Sequence, residues 1–179
     1  MIIKEKYTKS AKFNNLSGAI IFFANKKSEI RNINNLLNHS QNSLLNKNLK
    51  NNKKKKDIFS FDINYNQKII IYSIKNNKNS FEKNGAELYQ FFKNEGITKI
   101  NVIGESIDSQ NKVKSLHELV HGMKLKSYLF DKYKSKKNTK ILNLNLIFNK
   151  KIDSKLIKKF NAIEKGVNFT KDLVSEPGN

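Results

Sequence analysis

The segment Gly18–Ala24 (GAIIFFA) restricts the folds open to this chain more than any other stretch. It is apolar throughout, yet it is too short to form a helix of ordinary length. Continuous apolar runs of this size are typical of strands that are buried on both faces, as in parallel sheets covered by helices. The segment therefore predicts a central strand of an α/β domain.

The rest of the chain alternates between short β-type runs and longer patterns with helical spacing, which is typical of one α/β domain. Further strands are predicted at 2–7, 57–63 (nearer an edge), 68–74, 99–103 and 141–148. One or two short helices are expected between 33 and 45, broken around Asn38–Gln41. Longer helices are predicted from an N-cap at Asn79 to about Gly96, at 111–128, and from a cap at Asp153 or Ser154 onward.

The bulk composition indicates a soluble protein of one ordinary domain. The chain has 179 residues and no cysteine, which fits a reducing compartment. No apolar run approaches the roughly 18–20 residues that span a bilayer, and the first residues, MIIKEKYTKS, lack a secretory signal. We expect a cytoplasmic protein that does not insert into membranes.

The formal net charge of +20 raises the question of an anionic partner, most often a nucleic acid. Arg31 is the only arginine, however, and arginine is the residue that binds bases and phosphates in a bidentate manner. Lysine, asparagine and isoleucine occur in every segment, which is typical of AT-rich coding sequence. We favour a compositional origin of the charge, with Lys53–Lys56 as a solvated loop; a basic nucleic-acid-binding module is the alternative.

The stretch His117–His121 (HELVH) satisfies the H-E-x-x-H pattern, in which two histidines one helical turn apart hold zinc and Glu118 acts as the general base. The longer protease signatures are missing, since Lys124 and Ser127 occupy the places of their glycine and third histidine. We interpret the pair as two histidines on a half-exposed helix. A zincin-type protease is the less favoured alternative.

Other local motifs for catalysis or phosphate binding are absent from the sequence. It contains no G-x-G-x-x-G, no P-loop and no G-x-S-x-G elbow, and its carboxylates are scattered. We therefore name no catalytic, metal-binding or cofactor-binding residue in this chain.

The closing segment Val167–Asn179 (VNFTKDLVSEPGN) predicts a helix that ends in a turn at Pro177–Gly178. It resembles the signature that closes the N-terminal domain of the leucyl aminopeptidase (cytosol aminopeptidase) family. The residues that match this signature are Gly166, Thr170, Asp172, Leu173, Glu176, Pro177, Gly178 and Asn179. The departures are Lys171, where arginine is usual, and Ser175, where asparagine is usual.

A second segment, Gly122–Lys134, resembles the family pattern Gly-x-x-Leu-x-x-Tyr-x-Phe-x-x-Tyr-Lys. Its aromatic residues, Tyr128, Phe130 and Tyr133, are predicted to pack at a bend between a helix and a strand. In this interpretation the two histidines have no function.

The chain also departs from the family at Ser73-Ile74-Lys75, where the sequence Gly-Leu-Gly is frequent. This departure weakens the case for a phosphate or nucleotide site at that strand end.

The resemblance implies a macro-domain-like three-layer sandwich with a mixed, mostly parallel central sheet flanked by helices. Residues 1–150 would form the N-terminal domain, and 151–179 an interdomain helix and the start of a catalytic domain. Members of the family are homohexameric metalloaminopeptidases that release N-terminal amino acids, preferentially leucine, from peptides.

Their two divalent cations (manganese, zinc or magnesium) and catalytic residues lie in motifs that follow the Pro-Gly-Asn turn. We therefore expect this chain to be a fragment or truncated product without cofactors of its own and inactive alone. Its expected partners are its own catalytic domain and the other subunits, with non-specific nucleic acid binding through its charge.

Overall fold

A six-stranded sheet organises the chain, as seen in a computed structural model that describes residues 1–25, 27–33, 36–52, 57–74, 80–135, 140–151 and 153–176. The strands are β1 (Ile2–Thr8), β2 (Gly18–Ala24), β3 (Ile58–Asn64), β4 (Gln67–Ser73), β5 (Lys99–Ile103) and β6 (Ile141–Ile147). The helices are α1 (His39–Asn52), α2 (Phe81–Asn94), α3 (Lys112–Ser127) and α4 (Ser154–Ser175).

The strand order is β1-β6-β5-β2-β4-β3. All neighbouring strands run parallel except β3 and β4, which are antiparallel. The segment Gly18–Ala24 forms β2 with the predicted bounds, lies inside the sheet and is buried from Ala19 onward. The alternating segment that begins at Ile58 lies at the sheet edge, as predicted. The expected α/β class with a mixed, mostly parallel sheet is confirmed.

Helices lie on both faces of the sheet and give the expected three layers. On one face, α2 and α3 contribute Leu88, Phe92, Leu116 and Leu119 to a cluster with Ile21, Phe23 and Ile70. On the other face, α1 contributes Leu45 and Leu49 to a cluster with Ile20, Phe22 and Ile71. No described helix is long and apolar enough to cross a membrane.

The helix starts confirm one predicted cap and correct one predicted break. The side chain of Asp153 caps α4, as predicted, and the side chain of Asn111, the predicted first residue of the preceding helix, caps α3. The break expected around Asn38–Gln41 is wrong, because α1 begins there. Asn38 Oδ1 accepts a hydrogen bond from the backbone nitrogen of Gln41 at 2.9 Å, and Gln41 Oε1 accepts one from the backbone nitrogen of Asn38 at 3.0 Å. Such a reciprocal cap is typical of the start of a helix.

Several other predictions fall on positions outside the described residues. These are the N-cap at Asn79, the lysine loop Lys53–Lys56 and the closing turn Pro177–Asn179. Within the described part, Ser80 caps α2 and accepts from the backbone nitrogen of Lys83. Gly96 follows α2 with a φ of +66°, a value that glycine adopts readily, as expected of its place after the helix.

Two glycines allow α2 and α3 to touch backbone to backbone. A Cβ atom built on Gly122 of α3 would lie 1.8 Å from the carbonyl oxygen of Glu82 in α2. A Cβ atom on Gly85 of α2 would lie 1.9 Å from the carbonyl oxygen of Leu119 in α3. Each helix therefore needs a glycine where it crosses the other, and the two glycines set the distance between them.

We predict that Gly122→Ala lowers the free energy of unfolding by about 1–3 kcal/mol or more, because the added methyl group meets a backbone atom that cannot rotate away. Urea denaturation followed by circular dichroism measures the change. Gly166→Ala in α4 is the matched control. Nothing lies within 4 Å of its added Cβ, so helix propensity should raise stability by about 0.5–1 kcal/mol. Equal effects of the two substitutions would contradict the packing argument.

Candidate functional site at the α3–α4 junction

The two segments that carry the family resemblance contact each other in the structure. Tyr128, directly after α3, donates its hydroxyl hydrogen to Asp172 Oδ1 of α4 at 2.7 Å. Further along, Lys132 and Tyr133 both hydrogen-bond to the carboxylate of Glu176, the C-cap residue of α4. Residues about 44 positions apart in sequence are thus brought together at one place. We call the contact between 121–133 and 160–176 the α3–α4 junction.

The aromatic residues of the junction do more than the predicted packing. Phe130 and Tyr133 form an edge-to-face pair with ring centroids 5.8 Å apart, which agrees with the expectation. Tyr133, however, is 62% exposed, and its hydroxyl, like that of Tyr128, binds a carboxylate of α4. The hydrogen bonds from Lys132 and Tyr133 hold the pKa of Glu176 below its usual value, so this carboxylate stays charged.

Lys171 joins α4 to the end of α3. Its ammonium group donates to the carbonyl oxygen of Leu125 at 3.1 Å, in the last turn of α3, where carbonyl groups lack helical partners. The same ammonium group lies 5.0 Å from the ring centroid of Tyr128, within the range of a cation–π interaction. An arginine, which is usual at this position of the family signature, could make both contacts. The lysine at 171 therefore makes two contacts that an arginine could also make.

We predict that Lys171→Ala increases hydrogen exchange of the backbone amides in 166–176 by about 3- to 10-fold, because α4 loses a charge-assisted hydrogen bond. Mass-spectrometric exchange at neutral pH measures the effect. Lys171→Arg should keep the wild-type protection, and Lys165→Ala, at an exposed position of the same helix, is the matched control. Equal exchange in Lys171→Ala and Lys165→Ala would show that Lys171 does not hold the junction.

The two histidines of the HELVH stretch are buried, so the prediction of a half-exposed helix is wrong at these positions. Only 5% of His117 and 3% of His121 is accessible. The reason is that α3 lies between the sheet and α4. His117 Nδ1 lies 3.4 Å from the hydroxyl of Tyr7 in β1, whereas the ring of His121 packs on Phe160 of α4 with centroids 4.7 Å apart.

Each of the two histidines contacts a different part of the fold. His121 Nε2 lies 3.8 Å from Glu82 Oε2 of α2, and its Nδ1 has no hydrogen-bond partner among the residues that the structure describes. Glu118, the general base of the zincin alternative, pairs with Lys114 at 3.6 Å. Across the described ranges, no group of three or more His, Cys, Asp or Glu side chains could hold a metal ion.

Burial lowers the pKa of both histidines, because the charged imidazolium loses its hydration. At His121 the carboxylates of Glu82 and Glu164 oppose this shift, and the ammonium group of Lys124 adds to it. The unfolded chain therefore binds protons at these side chains more readily than the folded chain does. Folded stability from this source is complete above the unfolded pKa of about 6.5 and falls as the pH drops below it.

We predict that the free energy of unfolding falls between pH 7 and pH 5, by up to about 1.4 kcal/mol per pH unit for each buried histidine. Urea titrations at several pH values measure the slope. His121→Phe keeps a ring against Phe160 but cannot take up a proton, so the slope should decrease. His39→Phe, at the exposed start of α1, is the matched control. A slope that is the same in both variants would exclude His121 as its source.

A crevice of about 380 Å³ lies at the carboxyl ends of β2 and β4, beside the loop that follows β5. Ligands of open α/β sheets commonly bind at this edge. The single arginine of the chain, Arg31, lines the crevice, but its guanidinium group is 3.6 Å from Asp108 Oδ1, a carboxylate of the same crevice. The charge of Arg31 is therefore matched by a carboxylate of the chain itself.

No family profile matches the sequence, and no curated protein sequence matches it either. The fold, in contrast, has counterparts among solved structures. A mutant of tomato leucine aminopeptidase superposes with a TM-score of 0.67 at 15% identity and covers 99% of this chain. The macrodomain of Thermus aquaticus DarG gives a TM-score of 0.54 at 7% identity over 81% of this chain and 98% of its own length.

The bottromycin maturation enzyme BotP, in complex with Mn, gives a TM-score of 0.59 at 8% identity over 90% of this chain. The similarity spans 38% of the tomato enzyme and 32% of BotP. At these identities the comparisons establish the fold alone. The chain has a macro-domain-like α/β fold that also occurs as part of a longer leucine aminopeptidase chain.

Proposed function

We propose that this chain serves as the non-catalytic N-terminal domain of a leucyl-aminopeptidase-type metallopeptidase. The observation that carries the proposal is the α3–α4 junction, in which the two segments that resemble the family bind each other. The similarity of fold to a leucine aminopeptidase over 99% of this chain supports the same assignment. In this proposal, 1–150 form the domain and 151–179 connect it to a catalytic domain.

The outer face of α4 supports a role as a connecting helix. Four of its apolar side chains are largely exposed, and no residue of the helix is buried. The exposed side chains are Ile163 (41%), Phe169 (63%), Leu173 (58%) and Val174 (82%). Exposed apolar side chains that share one region of a helix are typical of a surface that another body covers. We assign that role to a catalytic domain of the same polypeptide.

In the complete enzyme, two divalent cations (manganese, zinc or magnesium) would polarise the scissile carbonyl group and supply a hydroxide to release the N-terminal residue. The described residues offer no cluster that could hold these cations, so the catalytic domain would supply their ligands. The contribution of this chain would be to position that domain through α4 and to contact other subunits, with a homohexamer and a cytoplasmic location as the expected setting.

The proposal predicts that the reading frame continues past the codon of Asn179 into motifs rich in the Lys, Asp and Glu ligands of a two-metal site. The complete product should hydrolyse leucine p-nitroanilide in the presence of Mn²⁺, whereas residues 1–179 alone should not. A reading frame that stops at that codon, or one that encodes no such motifs, would contradict the proposed role. Aminopeptidase activity of residues 1–179 alone would contradict it as well.

The α4 surface provides a structural control for this experiment. Phe169→Ser combined with Leu173→Ser should lower the melting temperature of the complete product, because both side chains would be covered there. The same pair should leave the melting temperature of residues 1–179 nearly unchanged, since both side chains are exposed in this chain. Lys158→Ser combined with Lys165→Ser, at other exposed positions of α4, is the matched control.

A further inference from the structure

One half of a sheet face is polar, and one row of its side chains is open to solvent. Strand pairing places Lys4, Asn143 and Lys99 in one row across β1, β6 and β5. All three side chains are exposed. The next row on the same face holds Lys6, Asn145 and Asn101. We call these six residues the β1-β6-β5 face.

An open face is unusual for strands of this kind. Parallel strands are normally covered by helices on both faces, and here α1 covers the neighbouring strands β2 and β4 through Leu45 and Leu49. The opposite face of β1, β6 and β5 is covered, because Leu142, Leu144 and Val102 belong to the cluster that α2 and α3 complete. The polar residues thus mark a face of the sheet that no described helix covers.

The amide side chains of this face form an ordered network. Asn145 Nδ2 donates to Asn101 Oδ1 at 2.9 Å, and the hydroxyl of Thr8 donates to Asn145 Oδ1 at 2.6 Å. Asn101 is only 3% exposed, and it donates in turn to the carbonyl oxygen of Ser17 at 3.0 Å. Amide side chains with this many hydrogen-bond partners keep fixed orientations. The face is therefore a shaped surface rather than a set of freely moving side chains.

The charge of this face has one sign. Lys4, Lys6 and Lys99 contribute three ammonium groups along a groove of about 460 Å³. The carboxylate of Glu5, between two of them in sequence, lies on the opposite side of the sheet, where it accepts from Lys124 Nζ of α3 at 3.1 Å. Lys4 and Lys99 stand two strand spacings apart, about 10 Å, which is the width of one extended peptide with its side chains.

We propose that the β1-β6-β5 face binds an acidic, extended peptide segment of a partner protein. Its carboxylates would bind the three lysines, and its backbone would hydrogen-bond to the exposed amide of Asn143. A second copy of this chain is a poor occupant, because two molecules of net charge +20 repel each other. A single-stranded nucleic acid is a poor occupant as well, since sheet surfaces that bind one use aromatic side chains for base stacking, and none of the six residues is aromatic.

The experiment is a titration of the full 179-residue chain with a peptide of ten glutamates at physiological ionic strength, followed by NMR chemical shifts and fluorescence anisotropy. We expect shifts concentrated at the amides of β1, β5 and β6. Lys4→Glu/Lys6→Glu/Lys99→Glu should weaken binding at least 10-fold. The matched control, Lys47→Glu/Lys50→Glu/Lys83→Glu, replaces exposed lysines of α1 and α2 and should change affinity less than 2-fold.

The control separates location from total charge, because each triple variant lowers the net charge by six. Equal weakening in both variants, or shifts spread over the whole surface, would overturn the proposal and leave net charge as the cause of binding. Tighter binding of oligothymidylate than of the glutamate peptide to the same strands would replace the peptide by a nucleic acid. Should charge reversal prevent folding, Lys4→Gln/Lys6→Gln/Lys99→Gln removes the charges without adding repulsion and should still weaken binding several-fold.

Discussion

The backbone contact between α2 and α3 determines where the other parts of this molecule can lie. With a glycine in each helix at the crossing, α3 approaches α2 until the carbonyl oxygens of Glu82 and Leu119 fill the space that a side chain would take. In this position one side of α3 packs against the sheet, and the opposite side of α3 contacts α4. The contact of His121 with Glu82 of α2 depends on this close approach, and the other side of the same ring packs on Phe160 of α4.

The helix α4, which lies outside α3, is held mainly by polar interactions. No residue of α4 is buried, and its junction with α3 consists largely of charged and hydroxyl groups: Lys124 with Glu164, Tyr128 with Asp172, Lys132 with Glu176. An exposed ion pair such as that of Lys132 with Glu176 contributes about 0–1 kcal/mol. Such a helix is oriented by its inner contacts but gains little stability from them. Covering its exposed apolar side would add the burial that the inner side lacks, which is consistent with a connecting role.

The sequence could predict the sheet but not the environment of the histidines. Gly18–Ala24 and Lys99–Ile103 form strands with the predicted bounds, because short apolar runs have few alternatives in an α/β domain. The burial of His117 and His121 depends on α4, which packs on α3 although about 40 residues separate the two in sequence. The local periodicity of the sequence therefore cannot predict this burial. The link between Lys171 and Leu125 was also missed, since a lysine in a lysine-rich chain gives no signal of its own.

The frequency of lysine and asparagine in this chain and the positions that they occupy have different explanations. A bias toward lysine and asparagine explains why both residues are frequent, and it predicts them at exposed positions of every element. It does not explain an asparagine at 3% exposure within a sheet, nor lysines on one open side of β1 while the carboxylate of Glu5 lies on the other. In the sequence this arrangement is seen as alternation, of Lys4 and Lys6 with Ile3 and Glu5 in β1, and of Asn143 and Asn145 with leucines in β6. The pairing of β1 with β6 and of β6 with β5 brings the polar side chains of the three strands together on one face. The register of these pairs decides which polar side chains share a row, and it gives two rows of three.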